Sequence, residues 1–279
     1  MTHSARFQAQ ALAARLPPLL VAARRIAATV ALGVHGRRRA GPGEIFWQFR
    51  RAGPGDAPAV IDWRQSARGD HLFVRQREWA AAQTVWLWRD GSASMDWRSA
   101  AALPTKAERA ELLVLALAAL LLRGGERVAP LAGAGSPLGG VTALERLAEA
   151  LAGDHPPALL PRKGPVVLMG DFLAPLAETE GLVRRIGGRG HLLQVLDPAE
   201  ESLPYDGRVR FEGMEGEGAV LVGRVEGVRA DYVRRMAEHR RGLASCARLA
   251  GWSFATHRTD QPPQQALLAL YRQLAEAGP

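Results

Sequence analysis

The sequence predicts a three-layer α/β protein, with a mostly parallel sheet flanked by helices in the Rossmann-like manner, behind an N-terminal helical and extended portion. Three observations predict it. Short, largely apolar runs recur at 84–88, 166–169 and 191–196, with the length and composition of strands buried on both faces. Helical stretches separate them, at 106–123, 142–151 and 231–249. The runs stop at polar turns, Arg89-Asp90-Gly91, Gly170-Asp171 and Asp197-Pro198.

Composition sets the bounds. With 279 residues, 47% hydrophobic and 23% charged, the chain has room for one large domain, or one domain plus a smaller attachment. A core of that size needs no covalent staples. The single cysteine, Cys246, excludes an internal disulfide framework and a Cys-based zinc cluster. A net charge of +8 invites a polyanion-binding reading. The detail weakens that reading. There are only two lysines, Lys106 and Lys163, and the Arg clusters at 37–39, 50–51, 234–235 and 240–241 are each broken by nearby acids or apolar residues. The Arg, Ala, Gly and Pro content reads as compositional bias, and no specific nucleic acid is expected as a partner.

The elements follow in order. Residues 5–34 read as helical, interrupted at Pro17-Pro18. No compact apolar run precedes a small-residue cleavage site, which argues against a secretory signal. The stretch 16–34 is fairly apolar, but Arg24 and Arg25 stand at its middle, where a spanning helix would pay heavily. An amphipathic helix lying on the protein or on a partner is expected, and peripheral membrane contact stays open. One free thiol and no signal make the cytoplasm the expected compartment. Residues 36–55, rich in Gly, Pro and Arg, read as loops with short extended pieces; 59–63 and 71–77 read as strands. The division is expected at 1–79 and 80–279. The second part then runs strand 84–88, helix 106–123 between Pro104-Thr105 and Gly124-Gly125, weak strand 127–132, helix 142–151, strand 166–169 and helix 182–186. Strand 191–196, a hairpin from 207–211 and 218–222, helix 231–249, strand 252–256 and helix 264–277 complete it.

In such sheets the ligand site lies at the carboxyl ends of the strands. Asp90, Ser92 and Ser94 fall at i, i+2 and i+4 where the first apolar strand stops. A turning loop with that spacing aims one carboxylate and two hydroxyls at a common point. Thr142, after Gly139-Gly140-Val141, opens a helix, and Asp171 ends the 166–169 strand. All five are hard oxygen donors of the kind that suit octahedral Mg²⁺ or Mn²⁺. Each also has a plainer reading. Asp90, Ser92 and Ser94 would serve as turn or cap residues, Thr142 as a helix N-cap, and Asp171 as a cap for the next helix. Asp62 and Trp63 would simply pack under a sheet edge.

Asp-x-Ser-x-Ser after a first strand, a Thr opening a later helix and an Asp ending a central strand resemble the metal-ion-dependent adhesion site (MIDAS) of von Willebrand factor A-like domains. Arg50, Gly55-Asp56, Ile61-Asp62-Trp63 and Ser66-Ala67-Arg68 stand before that site, and Leu196-Asp197-Pro198-Ala199-Glu200, Phe211-Glu212-Gly213 and Glu215-Gly216 follow it. This order is similar to the bacterial family named as domain of unknown function 58, over about residues 40–275. The sequence departs from that pattern at Ala52, where an aromatic is usual, and at Ala57 and Ala59, where charge is usual.

The resemblance implies a von Willebrand factor A-like domain at 80–279 and a cation held by Asp90, Ser92, Ser94, Thr142 and Asp171. It implies an open coordination position for a partner protein's carboxylate. It further implies a non-enzymatic adaptor or co-chaperone of a MoxR-type AAA+ ATPase. Two rivals come from other classes: a metal-dependent hydrolase, for which no general base beside Asp90 is evident, and an Arg-driven nucleic-acid or membrane-surface binder. No Gly-x-Ser-x-Gly nucleophile elbow and no phosphate-binding Gly-rich loop with its lysine is present.

Overall fold

The computed structural model describes residues 17–31, 46–53, 58, 61–77, 82–132, 135–157 and 164–276. The chain forms two compact units, one of Met1–Val34 with Gln83–Pro279 and one of His35–Ala82. Helix α1 (17–31) therefore groups with the α/β layers rather than with the rest of the 1–79 portion. Its described part includes the Pro17-Pro18 pair. The part of the expected helix before Pro17 lies outside the described residues. Leu20, Ala23, Ile26, Ala27 and Val30 form the buried stripe of α1, and they join the core of α3 and α8 described below. Its apolar face is thus covered by the protein itself. Among the described residues no helix is long and apolar enough to cross a membrane.

The smaller unit pairs β1 (Phe46–Arg51) antiparallel with β2 (Phe73–Arg77). β1 falls where the sequence suggested loops with short extended pieces. The expected strand at 59–63 is not formed across its described part. Ile61 makes a single bridge to Val74, and Trp63–Ser66 is a short helix, α2. Asp62 caps that helix, its Oδ1 accepting the Gln65 N–H at 2.9 Å. The Ser66 hydroxyl donates to the Asp62 carbonyl at 2.8 Å and accepts the Phe73 N–H at 2.9 Å. Trp63 is 60% exposed, so it does not pack under an edge.

The larger unit is built on five parallel strands: β3 (Thr84–Arg89), β4 (Arg127–Pro130), β5 (Val166–Gly170), β6 (Gly190–Leu196) and β9 (Ser253–Arg258). Their order across the sheet is β4-β3-β5-β6-β9. Every residue of β5 and β6 is buried, which is why these strands read as unbroken apolar runs. One layer contains α1, α3 (Lys106–Arg123), α4 (Ala143–Ala150) and α8 (Pro263–Glu276). The other contains α5 (Leu176–Ile186) and α7 (Val225–Leu249), which bury Val183, Leu243, Cys246 and Ala247. Thr105 and Glu108 cap α3 reciprocally, and the chain leaves it at Gly124. A short helix α6 (Pro198–Ser202) and the hairpin β7 (Val209–Glu212) and β8 (Ala219–Val222) lie between β6 and α7.

The connections create one place of interest. From β3 the chain passes to β4 on one side, then crosses to β5 on the other side. The strand order reverses between β3 and β5, and a crevice opens beyond the carboxyl ends of strands at such a switch point.

Candidate metal centre

Parallel pairing puts the ends of β3 and β5 level, with Arg89 opposite Met169. Asp90 is the next residue on one strand and Gly170-Asp171 the next on the other. The Asp90 N–H donates to the Met169 carbonyl at 2.7 Å, which carries the pairing one step past the strand. An added Cβ on Gly170 would lie 2.9 Å from the Asp90 Cβ and 3.1 Å from its Oδ2. The Asp90 carboxylate therefore lies over a backbone that must be glycine.

From there the chain turns. Asp90 Oδ1 accepts the Ser92 N–H at 2.9 Å, and Ala93–Asp96 form one 3₁₀ turn. That turn lays the two hydroxyls together, Ser92 Oγ and Ser94 Oγ standing 3.1 Å apart. Ser94 Oγ donates to Asp171 Oδ2 at 2.9 Å across a sequence separation of 77 residues. Four of the five residues expected from the sequence thus sit in one linked cluster. Asp171 is held by the Leu173 N–H on Oδ1 at 3.3 Å, and its carbonyl accepts the Gln194 amide at 2.8 Å from β6.

Thr142 stands apart. It is exposed at the start of α4, makes no side-chain cap bond, and no hydrogen bond joins it to the other four.

The sequence reading missed Lys106. It is 1% exposed, and its Nζ donates to Asp171 Oδ2 at 2.7 Å and to Glu200 Oε1. A cation at the first position of a helix opposes the helix dipole, and here it answers to two acids, Asp171 and Glu200. That conflict, in a chain with only two lysines, was the available signal. Glu200, in the Leu196-Asp197-Pro198-Ala199-Glu200 run, is the second acid on Lys106. Its Oε2 accepts the Asp197 N–H at 2.9 Å, and its carbonyl accepts the Tyr232 hydroxyl at 2.6 Å. Asp197, fully buried at the end of β6, accepts the N–H groups of Ala199 at 2.8 Å and Ser99 at 2.9 Å. Lys106 therefore links the β5 end to α6, and through Tyr232 to α7.

The electrostatics are uneven. Burial pushes the Asp90 carboxyl above its ordinary value; the Ser92 N–H and hydroxyl oppose this, while Asp171 and Asp154 add to it. Burial opposes the charge on Lys106, but the Asp171 and Glu200 carboxylates outweigh it and hold the ammonium above the usual lysine range. Burial likewise raises Glu200, against the pull of Lys106. The Tyr232 phenol is pushed up to about 12, by burial first and then by Glu200 and Tyr205.

Asp90 has no ion-pair partner among the described residues, whereas Asp171 has one. The donors fit Mg²⁺ or Mn²⁺: they are hard oxygens throughout, and a desolvated carboxylate beside a second one gains from a cation. Among the described residues no group of three or more His, Cys, Asp or Glu forms a metal cage, so a cation here would depend on the serine hydroxyls. Asp90, Ser92, Ser94 and Asp171 would hold it, with Lys106 already occupying one oxygen of Asp171.

The Arg clusters give a separate finding. Arg234 pairs with Asp231 and Glu238, Arg240 with Glu201, and Arg258 with Glu201 and Asp260. The 37–39 cluster lies outside the described residues. Much of the positive charge on α7 is met locally, as for an ordinary solvated helix face.

Comparison with known proteins places the chain among bacterial relatives. It is 30% identical over 249 residues to "Uncharacterized protein Rv1480" of Mycobacterium tuberculosis and to "Uncharacterized protein Mb1516" of Mycobacterium bovis, covering 79% of this chain and 76% of each relative. Among solved structures, it is similar to the conserved hypothetical protein BatB from Bacteroides thetaiotaomicron, with 16% identity and a TM-score of 0.37 over 70% of this chain and 100% of that one. It is also similar to an aerotolerance-related membrane protein from Bacteroides fragilis, with 14% identity and a TM-score of 0.39 over the same shares. Residues 48–242 match the family described as "Protein of unknown function DUF58", and the chain belongs to that family.

Proposed function

We propose that the larger unit is a von Willebrand factor A-like interaction module, non-enzymatic, that holds Mg²⁺ or Mn²⁺ in an adhesion-type site and binds a partner protein's carboxylate there. The partner is proposed to be a MoxR-type AAA+ ATPase, with this protein as its adaptor or co-chaperone. The observation that carries the reading is the chain Ser92 Oγ, Ser94 Oγ and Asp171 Oδ2 beside Asp90, at the switch point of a parallel sheet. When bound, the cation supplies an electrophilic position for an outside anionic oxygen. The protein's own groups do the rest. Asp90 fixes the loop through the Ser92 N–H, Asp171 orients the Ser94 hydroxyl, and Lys106 holds Asp171 in place. Few full charges face the position, which favours an external carboxylate over self-sufficiency. Thr142 is left out of the ligand set in this arrangement; its exposed place at α4 gives it no part in the cluster.

The test is affinity capture from native cells, in Mg²⁺ and in EDTA, with the wild type and Ser94→Ala. The reading expects an AAA+ ATPase retained by the wild type in Mg²⁺ and lost in the other conditions. Retention of that ATPase in all conditions would remove the metal from the interaction.

A further inference from the structure

The sequence Phe211-Glu212-Gly213 with Glu215-Gly216 has so far had no role. It forms the β7–β8 hairpin, paired from Val209 opposite Val222 to Glu212 opposite Ala219. The hairpin is fastened at its base. The Val225 N–H donates to the Gly207 carbonyl at 3.0 Å, and the Gly207 N–H to Glu226 Oε2 at 2.8 Å. The Tyr205 and Phe211 rings meet edge to face at 5.9 Å.

Its tip is shaped with equal care. The Gly213 N–H donates to the Gly218 carbonyl at 2.7 Å, and Gly216 and Gly218 take φ values of +92° and +88° that only glycine adopts readily. The Glu215 N–H donates to Glu217 Oε2 at 2.9 Å. This turn sends the Glu215 side chain back to the loop after β3, where its Oε1 accepts the Ser94 N–H. At 3.4 Å that bond is long, a resting contact more than a lock. Ser94 is the residue whose hydroxyl bonds Asp171. A carboxylate from 121 residues further along the chain therefore stands at the rim of the proposed cation site.

We propose that Glu215 is the chain's own carboxylate for that site. With a cation bound and no partner present, it would swing from the Ser94 N–H onto the coordination position that a partner's Glu or Asp would use, and a partner would bind by displacing it. This inference rests on the reading of the site as a divalent-cation site, and it adds the regulation of that site. A tethered carboxylate acts at an effective concentration on the order of millimolar, so weak external carboxylates are excluded while a well-matched partner is not. The hairpin can yield because β8 is largely exposed, Val220 at 64% and Leu221 at 53%. The base contacts at Gly207 and Tyr205 let the tip move without loss of the sheet.

The experiment loads the full chain with Mn²⁺ and measures affinity and water-proton relaxation. The variants are Glu215→Gln and, as a control of equal charge change on the same hairpin, Glu212→Gln. Loss of one charged ligand should weaken Mn²⁺ binding roughly ten-fold in Glu215→Gln. Relaxation enhancement per bound ion should rise as water enters the vacated position, and added acetate should reverse that rise at concentrations that leave the wild type unchanged. Glu212→Gln should behave as the wild type. Wild-type binding of Mn²⁺ with an unaltered Glu215→Gln variant would overturn the proposal and leave the site reading intact. Absence of Mn²⁺ binding by the wild type would overturn the site reading, and this proposal with it.

Discussion

Replacing Lys106 by Met tests the electrostatic frame of the site. Methionine keeps most of the side-chain length, so packing at the start of α3 is largely preserved and the charge alone is lost. Lys106 is 1% exposed and bonds Asp171 at 2.7 Å as well as Glu200. Removing one partner of a buried ion pair costs about 3–5 kcal/mol, because the remaining carboxylates stay desolvated and uncompensated. The residual donors soften this: Asp171 keeps the Ser94 hydroxyl and Leu173 N–H, and Glu200 keeps the Asp197 N–H. The expected loss at pH 7 is therefore about 3 kcal/mol, read as a lower midpoint in urea. Two signatures separate this from a packing defect. Glu200 is already raised by burial against the pull of Lys106, and in the variant it rises further above its unfolded value, so the folded state binds more protons and the deficit shrinks as pH falls through the carboxylate range. At one common Mg²⁺ concentration the variant should also gain more stability than the wild type, because Lys106 no longer occupies Asp171 Oδ2 and the cation binds tighter; a protein at 100 times its Kd gains about 2.7 kcal/mol. A loss below about 1 kcal/mol, independent of pH and of Mg²⁺, would refute the reasoning.

Further outcomes follow from single features. Gly170→Ala places a Cβ 2.9 Å from that of Asp90, and should cost about 1–3 kcal/mol while weakening Mg²⁺ binding by calorimetry; unchanged binding would mean that Asp90 is not a ligand. His257 is buried on β9, and burial, aided by Arg109, lowers its pKa from 6.5 to about 4. Its contribution is fully present above pH 6.5 and is lost as pH falls from there towards 4, in all about 3 kcal/mol. Urea midpoints of wild type and His257→Gln should converge across that window; parallel curves would contradict the assignment.

The layers of the larger unit were legible because parallel strands buried on both faces leave continuous apolar runs. The 166–169 and 191–196 runs became β5 and β6 with little change at their ends. Helix starts were less legible. α5 begins at Leu176, six residues before the expected 182, because Pro175 and Glu178 give no apolar signal. α6 is one turn long, and only its Asp197–Glu200 capping box marks it. β1 was hidden because its pairing with β2 is non-local, and Gly and Pro follow close behind it. Asp62 read as part of an extended stretch, although an Asp three residues before Gln65 is also a helix-cap pattern. At the site, spacing revealed the groups on one loop and at one strand end. It could not reveal Lys106 or Glu215, which arrive from the start of a helix and the tip of a hairpin. Thr142 opens α4 as its spacing suggested, but it makes no hydrogen bond to the other four.

Isothermal titration of Mg²⁺ into the wild type and Ser94→Ala tests the centre of this account most directly. A cation shared by Asp90, Ser92, Ser94 and Asp171 predicts one saturable site in the wild type, weakened roughly ten-fold or more in a variant of unchanged fold. Equal binding by both proteins, or none by the wild type, would contradict it.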